Sequence, residues 1–126
     1  MRFLMMTTGD ESKAGAPPSP ELYAEMGKLI EEMTKAGVLL ATGGLDPRAT
    51  RIKNSGGKIT VTDAPFTEAK EVVGGYWMLQ VRSRDEAIQW ATRCPAGPNE
   101  TIEVRQVFEM SEFPPKVQQA VGDFKL

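Results

Sequence analysis

The side chains best suited to acid–base chemistry lie in one stretch, residues 62–77, which reads TDAPFTEAKEVVGGYW. Its titratable residues are Asp63, Glu68, Lys70 and Glu71. A carboxylate held in a tight turn can act as a general base if burial raises its pKa. Alternatively, Asp63 stabilises the turn by bonding to its own backbone, and the other three form a solvated surface. We treat Asp63 as the candidate catalytic residue, and the structural interpretation stays open beside it.

A second pair of charged residues lies in the predicted last strand, TIEVRQVFEM. If Ile102 and Val104 face the core, Glu103 and Arg105 project from the opposite side of the strand, because side chains alternate. Buried charges need partners. Arg105 could therefore anchor a small polar or anionic molecule, and Arg51 could extend the same polar surface. Equally, Glu103 and Arg105 could form an ion pair that fixes the register of a dimer.

Further residues are candidates for the rim of such a pocket. Phe66 and Glu68 belong to the turn before the strand GYWMLQV, and Thr7 ends the first predicted strand, where a simple polar loop explains it as well. Gly74 and Gly75 either let a ligand or a partner's backbone approach closely or mark a β-bulge.

The composition excludes several classes of protein. The 126 residues contain no histidine and one cysteine, so no intramolecular disulfide can form and no metal site is expected. A net charge of −2 with scattered basic residues argues against a nucleic-acid partner. Neither a dinucleotide motif nor a phosphate loop is present, so no cofactor is implied. The short apolar run at the N-terminus suits neither a signal peptide nor a membrane span, which predicts a cytoplasmic protein with no membrane partner.

The predicted elements form two β-α-β units around a hairpin. The first helix begins at Ser19 and Pro20 and ends at Gly37; the second begins at Ser83. The strands are predicted in RFLMMT, VLLAT, both sides of NSGG, GYWMLQV and TIEVRQVFEM. This order predicts an α+β, ferredoxin-like split βαβ fold with an antiparallel sheet and both helices on one face. We expect one domain over residues 1–126, with residues 111–126 as a C-terminal tail that packs on it.

Both faces of the central strands are apolar. Phe3 and Met5 alternate with Leu4 and Met6 in the first strand, and YWMLQV repeats the pattern. Two helices cover only one face of a sheet, and soluble monomers avoid a large exposed apolar patch. The sequence therefore predicts a homodimer that packs sheet to sheet.

The segments VTDAPFTEAKEVVGGYWML, SRDEAIQWATRCP and TIEVRQV closely resemble the YCII-related proteins of the DGPF type. The resemblance implies the dimeric α+β barrel fold. The family's Asp-Gly-Pro-Phe motif is here Asp63-Ala64-Pro65-Phe66, and alanine does not take positive φ cheaply. Other YCII-related proteins have a proposed His–Asp pair, which a chain without histidine cannot reproduce. The resemblance also implies a frequent link with sigma-factor genes.

Two functions follow as expectations. The first is the binding of a small polar or anionic molecule in a pocket near the dimer sheet, with or without carboxylate acid–base activity. The second is a non-catalytic dimeric interaction module linked to transcription regulation.

Overall fold

The computed structural model of the chain describes residues 1–10, 19–63, 71–97 and 100–122. The strands are β1 (Arg2–Asp10), β2 (Leu39–Gly44), β3 (Thr50–Ser55), β4 (Lys58–Asp63), β5 (Glu71–Gln80) and β6 (Glu100–Gln106). The helices are α1 (Pro20–Lys35), α2 (Arg84–Thr92) and α3 (Pro115–Val121), with a short 3₁₀ turn at Met110–Glu112 before α3.

Four of the strands form one antiparallel sheet in the order β2-β5-β1-β6. Each half of the fold runs strand, helix, strand, and the two central strands, β1 and β5, open the two halves. This order is that of the ferredoxin-like fold. The predicted α+β class, with an antiparallel sheet and helical crossovers, is therefore confirmed.

Helices α1 and α2 cover one face of this sheet. Phe3, Met5, Trp77 and Leu79 on the central strands are buried there, and they share a core with side chains from both helices. The helical contribution to this core includes Leu29, Met33 and Ala87. The alternate residues of the strands lie on the other side, which we call the open face. Its apolar residues on the central strands are Leu4, Met6, Tyr76 and Met78.

Local chemistry fixes both ends of α1 as predicted. Ser19 caps the helix, because its Oγ accepts a hydrogen bond from the Leu22 backbone N–H at 3.2 Å. At the other end Gly37 has a φ of 73°, in the left-handed region. Val38 N–H then donates to the Met33 carbonyl, which closes a Schellman motif.

Two strands extend further than predicted. The prediction ended β2 before Gly43, but the strand continues through Gly44. It also began β5 at Gly75, whereas the strand starts at Glu71. The register shows why: Thr7 pairs with Gly75 and Thr8 pairs with Val73, so Gly74 is the additional residue of a β-bulge. The bulge interpretation of the two glycines is confirmed, and strand pairing continues beyond it.

Strands β3 and β4 form a hairpin that pairs with no strand of the main sheet within the described residues. Gly56 and Gly57 connect them with φ values of 57° and 87°, as a type I′ turn requires. Asn54 Oδ1 accepts a hydrogen bond from the Gly57 N–H at 3.1 Å. The hairpin predicted around Asn54 is therefore confirmed.

Candidate functional site

Glu103 and Arg105 lie on the open face, on the edge strand β6. Glu103 pairs with Met6 and Arg105 pairs with Leu4 of the neighbouring strand. Both charged side chains are exposed, while Ile102 pairs against β1 with its side chain packed on the core. The predicted orientation of β6 is thus confirmed. In the part of the chain that the structure describes, neither charge belongs to an ion pair.

A second arginine of the same face already has a partner. Arg2 makes a bidentate ion pair with Glu109, with Nε to Oε1 at 2.9 Å and Nη2 to Oε2 at 3.0 Å. The hydrogen bonds from Arg2 hold the pKa of Glu109 below its usual value. This contact ties the segment after β6 to β1. Arg2 is therefore committed to structure, whereas the exposed Arg105 guanidinium has no ion partner in the part of the chain that the structure describes.

Asp63 lies at the end of β4, at the base of the hairpin. It is exposed, and its Oδ1 accepts a hydrogen bond from the Thr50 hydroxyl at 2.7 Å. Asp63 ends a strand and faces Thr50 in the hairpin register. The turn that follows lies outside the described residues, so the contact of Asp63 with its backbone stays a prediction. Acid–base catalysis by Asp63 stays a prediction.

Arg51 is on the opposite side of the same hairpin. It pairs with Thr62, one residue before Asp63, and successive side chains of a strand point to opposite faces. The hairpin thus separates Arg51 from Asp63. Two other predicted rim residues, Phe66 and Glu68, lie outside the described residues, as does Lys70.

Thr7 lies on the covered side of the sheet, away from the open face, and its place at a pocket rim stays a prediction. It is buried on the side that faces the helices, because it continues the alternation of Phe3 and Met5. A Cβ at Gly74 would come within 3.3 Å of the Thr7 Oγ1, so the bulge leaves room for this hydroxyl.

Trp77 provides a polar group that sequence reasoning missed. Its side chain is 3% exposed, and its indole Nε1 has no hydrogen-bond partner among the described residues. Buried donors are usually paired, so this N–H is unusual. The sequence shows only a tryptophan on a buried strand, which predicts burial but not the missing partner.

A cleft of about 760 Å³ lies where the end of α1 meets the start of α2. Its lining includes Gly37, Arg82, Glu86 and Arg93, and it contains none of the predicted site residues. Two of its four charged side chains have partners: Arg93 pairs with Glu32, and Glu86 accepts a hydrogen bond from the Arg82 N–H at 2.9 Å. Because none of the predicted residues line the cleft, the open face stays the candidate anion site.

Cys94 is buried at the end of α2, as predicted. Burial, with a smaller contribution from the charge of Glu100, raises the pKa of its thiol to about 11. A thiol in this state is a poor nucleophile at neutral pH. The described residues contain no group of three or more acidic or cysteine side chains that could hold a metal ion. None of the described helices is long and apolar enough to cross a membrane.

Two comparisons with known proteins indicate the family of the chain. Residues 1–111 match the family model of the YCII-related domain. The chain is also similar to R00369 of Rhizobium meliloti (strain 1021), an uncharacterized protein, with 28% identity over 96 residues. That alignment covers 72% of this chain and 77% of the relative. On the match over residues 1–111, the chain belongs to the YCII-related domain family.

Proposed function

We propose that the protein acts as a homodimer, joined through the open faces of two sheets, and binds a small anionic molecule at Arg105. The observation that carries the proposal is the one-sided cover of the sheet. Helices pack on the Phe3 and Met5 side, whereas the half-buried Leu4 and Met6 on the other side do not belong to the helix-covered core of the described residues. A second copy of the same face covers these residues without any other partner.

The charges of the open face are compatible with this arrangement. In a twofold dimer one surface meets its own copy, so a face that carries one acid and one base can be complementary to itself. Glu103 and Arg105 provide these two charges, two residues apart on an edge strand. Among the described residues of one chain they have no ion partner, so both are free to pair at the edge of the joined sheets.

The chemistry of Arg105 defines the class of ligand. A guanidinium presents a planar fork of N–H donors that matches the two oxygens of a carboxylate or phosphate. The neighbouring Leu4 and Met6 on the open face would lie against an apolar part of the ligand. A small organic acid or organic phosphate is therefore the proposed ligand class.

The proposal extends to acid–base activity at Asp63, and this part has weaker support than anion binding at Arg105. The carboxylate is exposed, and the Thr50 hydroxyl donates a hydrogen bond to it. A general base gains from burial, which Asp63 lacks in a single chain. Its activity in the dimer therefore depends on what a second copy or the ligand places over it.

Calorimetric titration of the wild-type protein with inorganic phosphate and with small mono- and dicarboxylates tests ligand binding. We expect Arg105→Gln to weaken every binding event by about tenfold or more, because it removes a charge-assisted contact. Arg84→Gln is the matched control, since Arg84 is an exposed arginine at the start of α2. Equal affinities of Arg105→Gln and wild type for every bound anion would contradict the assignment.

A second candidate function, a protein-interaction module, is favoured by the C-terminal segment. Phe108 is 63% exposed, and its ring lies tilted against that of Phe113 at 5.6 Å between centroids. Exposed aromatic residues often anchor protein contacts. Loss of a captured partner in Phe108→Ser, with retention in Arg105→Gln, would favour this function over ligand binding.

A further inference from the structure

The hairpin of β3 and β4 has two chemically different faces. Ile52 pairs with Val61, and Asn54 pairs with Ile59, so three β-branched apolar side chains share one face. Their exposed fractions are 72% for Ile52, 65% for Ile59 and 64% for Val61. We call these three residues the hairpin stripe.

The opposite face of the hairpin is basic and polar. Arg51 pairs with Thr62, Lys53 pairs with Thr60, and Lys58 closes the ladder opposite Ser55. Such a face remains in water without cost, whereas the hairpin stripe does not. The strands therefore have the pattern of a half-buried sheet, with the hairpin stripe on one side and basic and polar residues on the other. The side of the hairpin stripe also carries Asn54 at the turn and the hydrogen-bonded Thr50 and Asp63 at the base. Every residue of both strands is exposed in the single chain.

A two-stranded hairpin of this kind is marginally stable in water and needs a surface against which to pack. The hairpin stripe exposes roughly 300 Å² of apolar surface, which approaches the largest apolar patch of a typical monomer. Within the described residues, no strand of the main sheet pairs with this hairpin. The described residues of this chain thus leave the hairpin stripe exposed, and a second chain is a surface that can cover it.

The area of the open face, compared with the area that a stable dimer needs, indicates which chain covers the hairpin stripe. Four strands about 4.8 Å apart, over about six residues of about 3.3 Å each, cover roughly 400 Å². A stable interface needs about 800 Å² from each partner. The open face alone provides about half of this area, and the hairpin stripe provides most of the remainder.

The hairpin also starts beside the open face. Strand β2 is the edge strand that precedes it, and Leu45 N–H still donates to the Gly74 carbonyl at 2.9 Å. Five residues then lead to Thr50, a reach of at most about 17 Å. The hairpin is thus rooted at the margin of the surface on which a second copy would sit.

We propose that the hairpin stripe packs against a second copy of this chain and forms part of the dimer interface together with the open face. This inference rests on the proposed homodimer. The inference goes beyond that dimer, because it assigns a large part of the interface to a segment outside the main sheet. The basic face of the hairpin remains in solvent on the outside of the dimer.

The test compares dimer dissociation constants by sedimentation velocity. The triple variant Ile52→Thr, Ile59→Thr and Val61→Thr keeps β-branched residues, so the hairpin still forms while its apolar surface is lost. We expect dimer dissociation to become at least about tenfold easier. The control variant, Lys53→Gln with Thr60→Ser, changes the outer face and is expected to leave the dissociation constant unchanged.

A second measurement uses Ile59→Cys, because the natural Cys94 is buried and reacts slowly. We expect thiol labelling at position 59 to slow as protein concentration rises and the dimer forms. A wild-type dimer whose dissociation constant is unaffected by the triple variant would overturn the hairpin assignment alone. A wild-type monomer would overturn the proposed homodimer and the hairpin assignment with it.

Discussion

The aromatic ring of Tyr76 lies directly over Gly43 of the neighbouring strand. A Cβ at position 43 would approach the Tyr76 Cε1 to 3.1 Å, closer than ordinary contacts allow. The two residues are register partners on β2 and β5. Gly43 is therefore a strand residue whose missing side chain lets an open-face tyrosine lie flat.

Substitution of Gly43 tests this contact. We expect Gly43→Ala to lower the free energy of unfolding by about 1 kcal/mol, because the Tyr76 ring must move or the strands must separate. Gly44→Ala is the matched control, since nothing lies within 4 Å of a Cβ there, and it should be neutral or slightly stabilising. Chemical denaturation of both variants measures the difference, and equal stabilities would contradict the contact.

The Arg2–Glu109 ion pair predicts a pH dependence. The pKa of Glu109 is lowered by its hydrogen bonds from Arg2, so the contact stabilises the folded chain above the usual glutamate pKa. Its contribution is lost as pH falls through the lowered value. We expect wild type to melt slightly higher than Glu109→Gln at pH 7 and the two to converge in acid. A difference that is constant from pH 7 to pH 3 would exclude this cause.

The turn of the hairpin predicts a local rather than a global effect. Gly56 has a φ of 57°, which valine adopts at a cost of about 1–2 kcal/mol and asparagine tolerates. We expect Gly56→Val to speed amide hydrogen exchange in β3 and β4 by roughly 5- to 30-fold. Gly56→Asn should preserve the wild-type protection. Because the hairpin is separate from the core, neither variant should change exchange in β1.

The burial of Cys94 predicts that its thiol reacts slowly with labelling reagents, at a rate that depends on pH. Its pKa of about 11 leaves about one thiol in a thousand ionised at pH 8. We expect labelling of the folded protein to accelerate about tenfold per pH unit up to that value. Ser111→Cys, at an exposed position, provides the fast control. Equal labelling rates of the two thiols in the native state would show that Cys94 is accessible.

Local signals explain why much of the fold was predictable. The ends of α1 depend on Ser19, Pro20 and Gly37, whose chemistry acts within a few residues of each end. The two faces of β1 and β5 follow from alternation, so the sequence separates Met5 from Met6. Because both faces are apolar, only the fold shows that the helices cover the side of Met5 and Trp77.

Non-local contacts explain what was not predictable. The pair of glycines in β2 resembles a strand end until the Tyr76 ring is seen above Gly43. Arg2 and Glu109 are 107 residues apart, so no local pattern joins them. The candidate site was predictable only in part for the same reason. The alternation of β6 predicted that Glu103 and Arg105 share a face. The pairing of Asp63 with Thr50, in contrast, depended on the hairpin register.

The proposed dimer, the anion site and the role of the hairpin all depend on the open face. Sedimentation velocity of the wild-type protein, over about 1–50 µM, tests it most directly, since interfaces of standard size give affinities at or below this range. The account predicts a dominant species with twice the 13.8 kDa mass of the chain, converted to single chains by Met6→Glu on the open face. A single 13.8 kDa species at every concentration would contradict it.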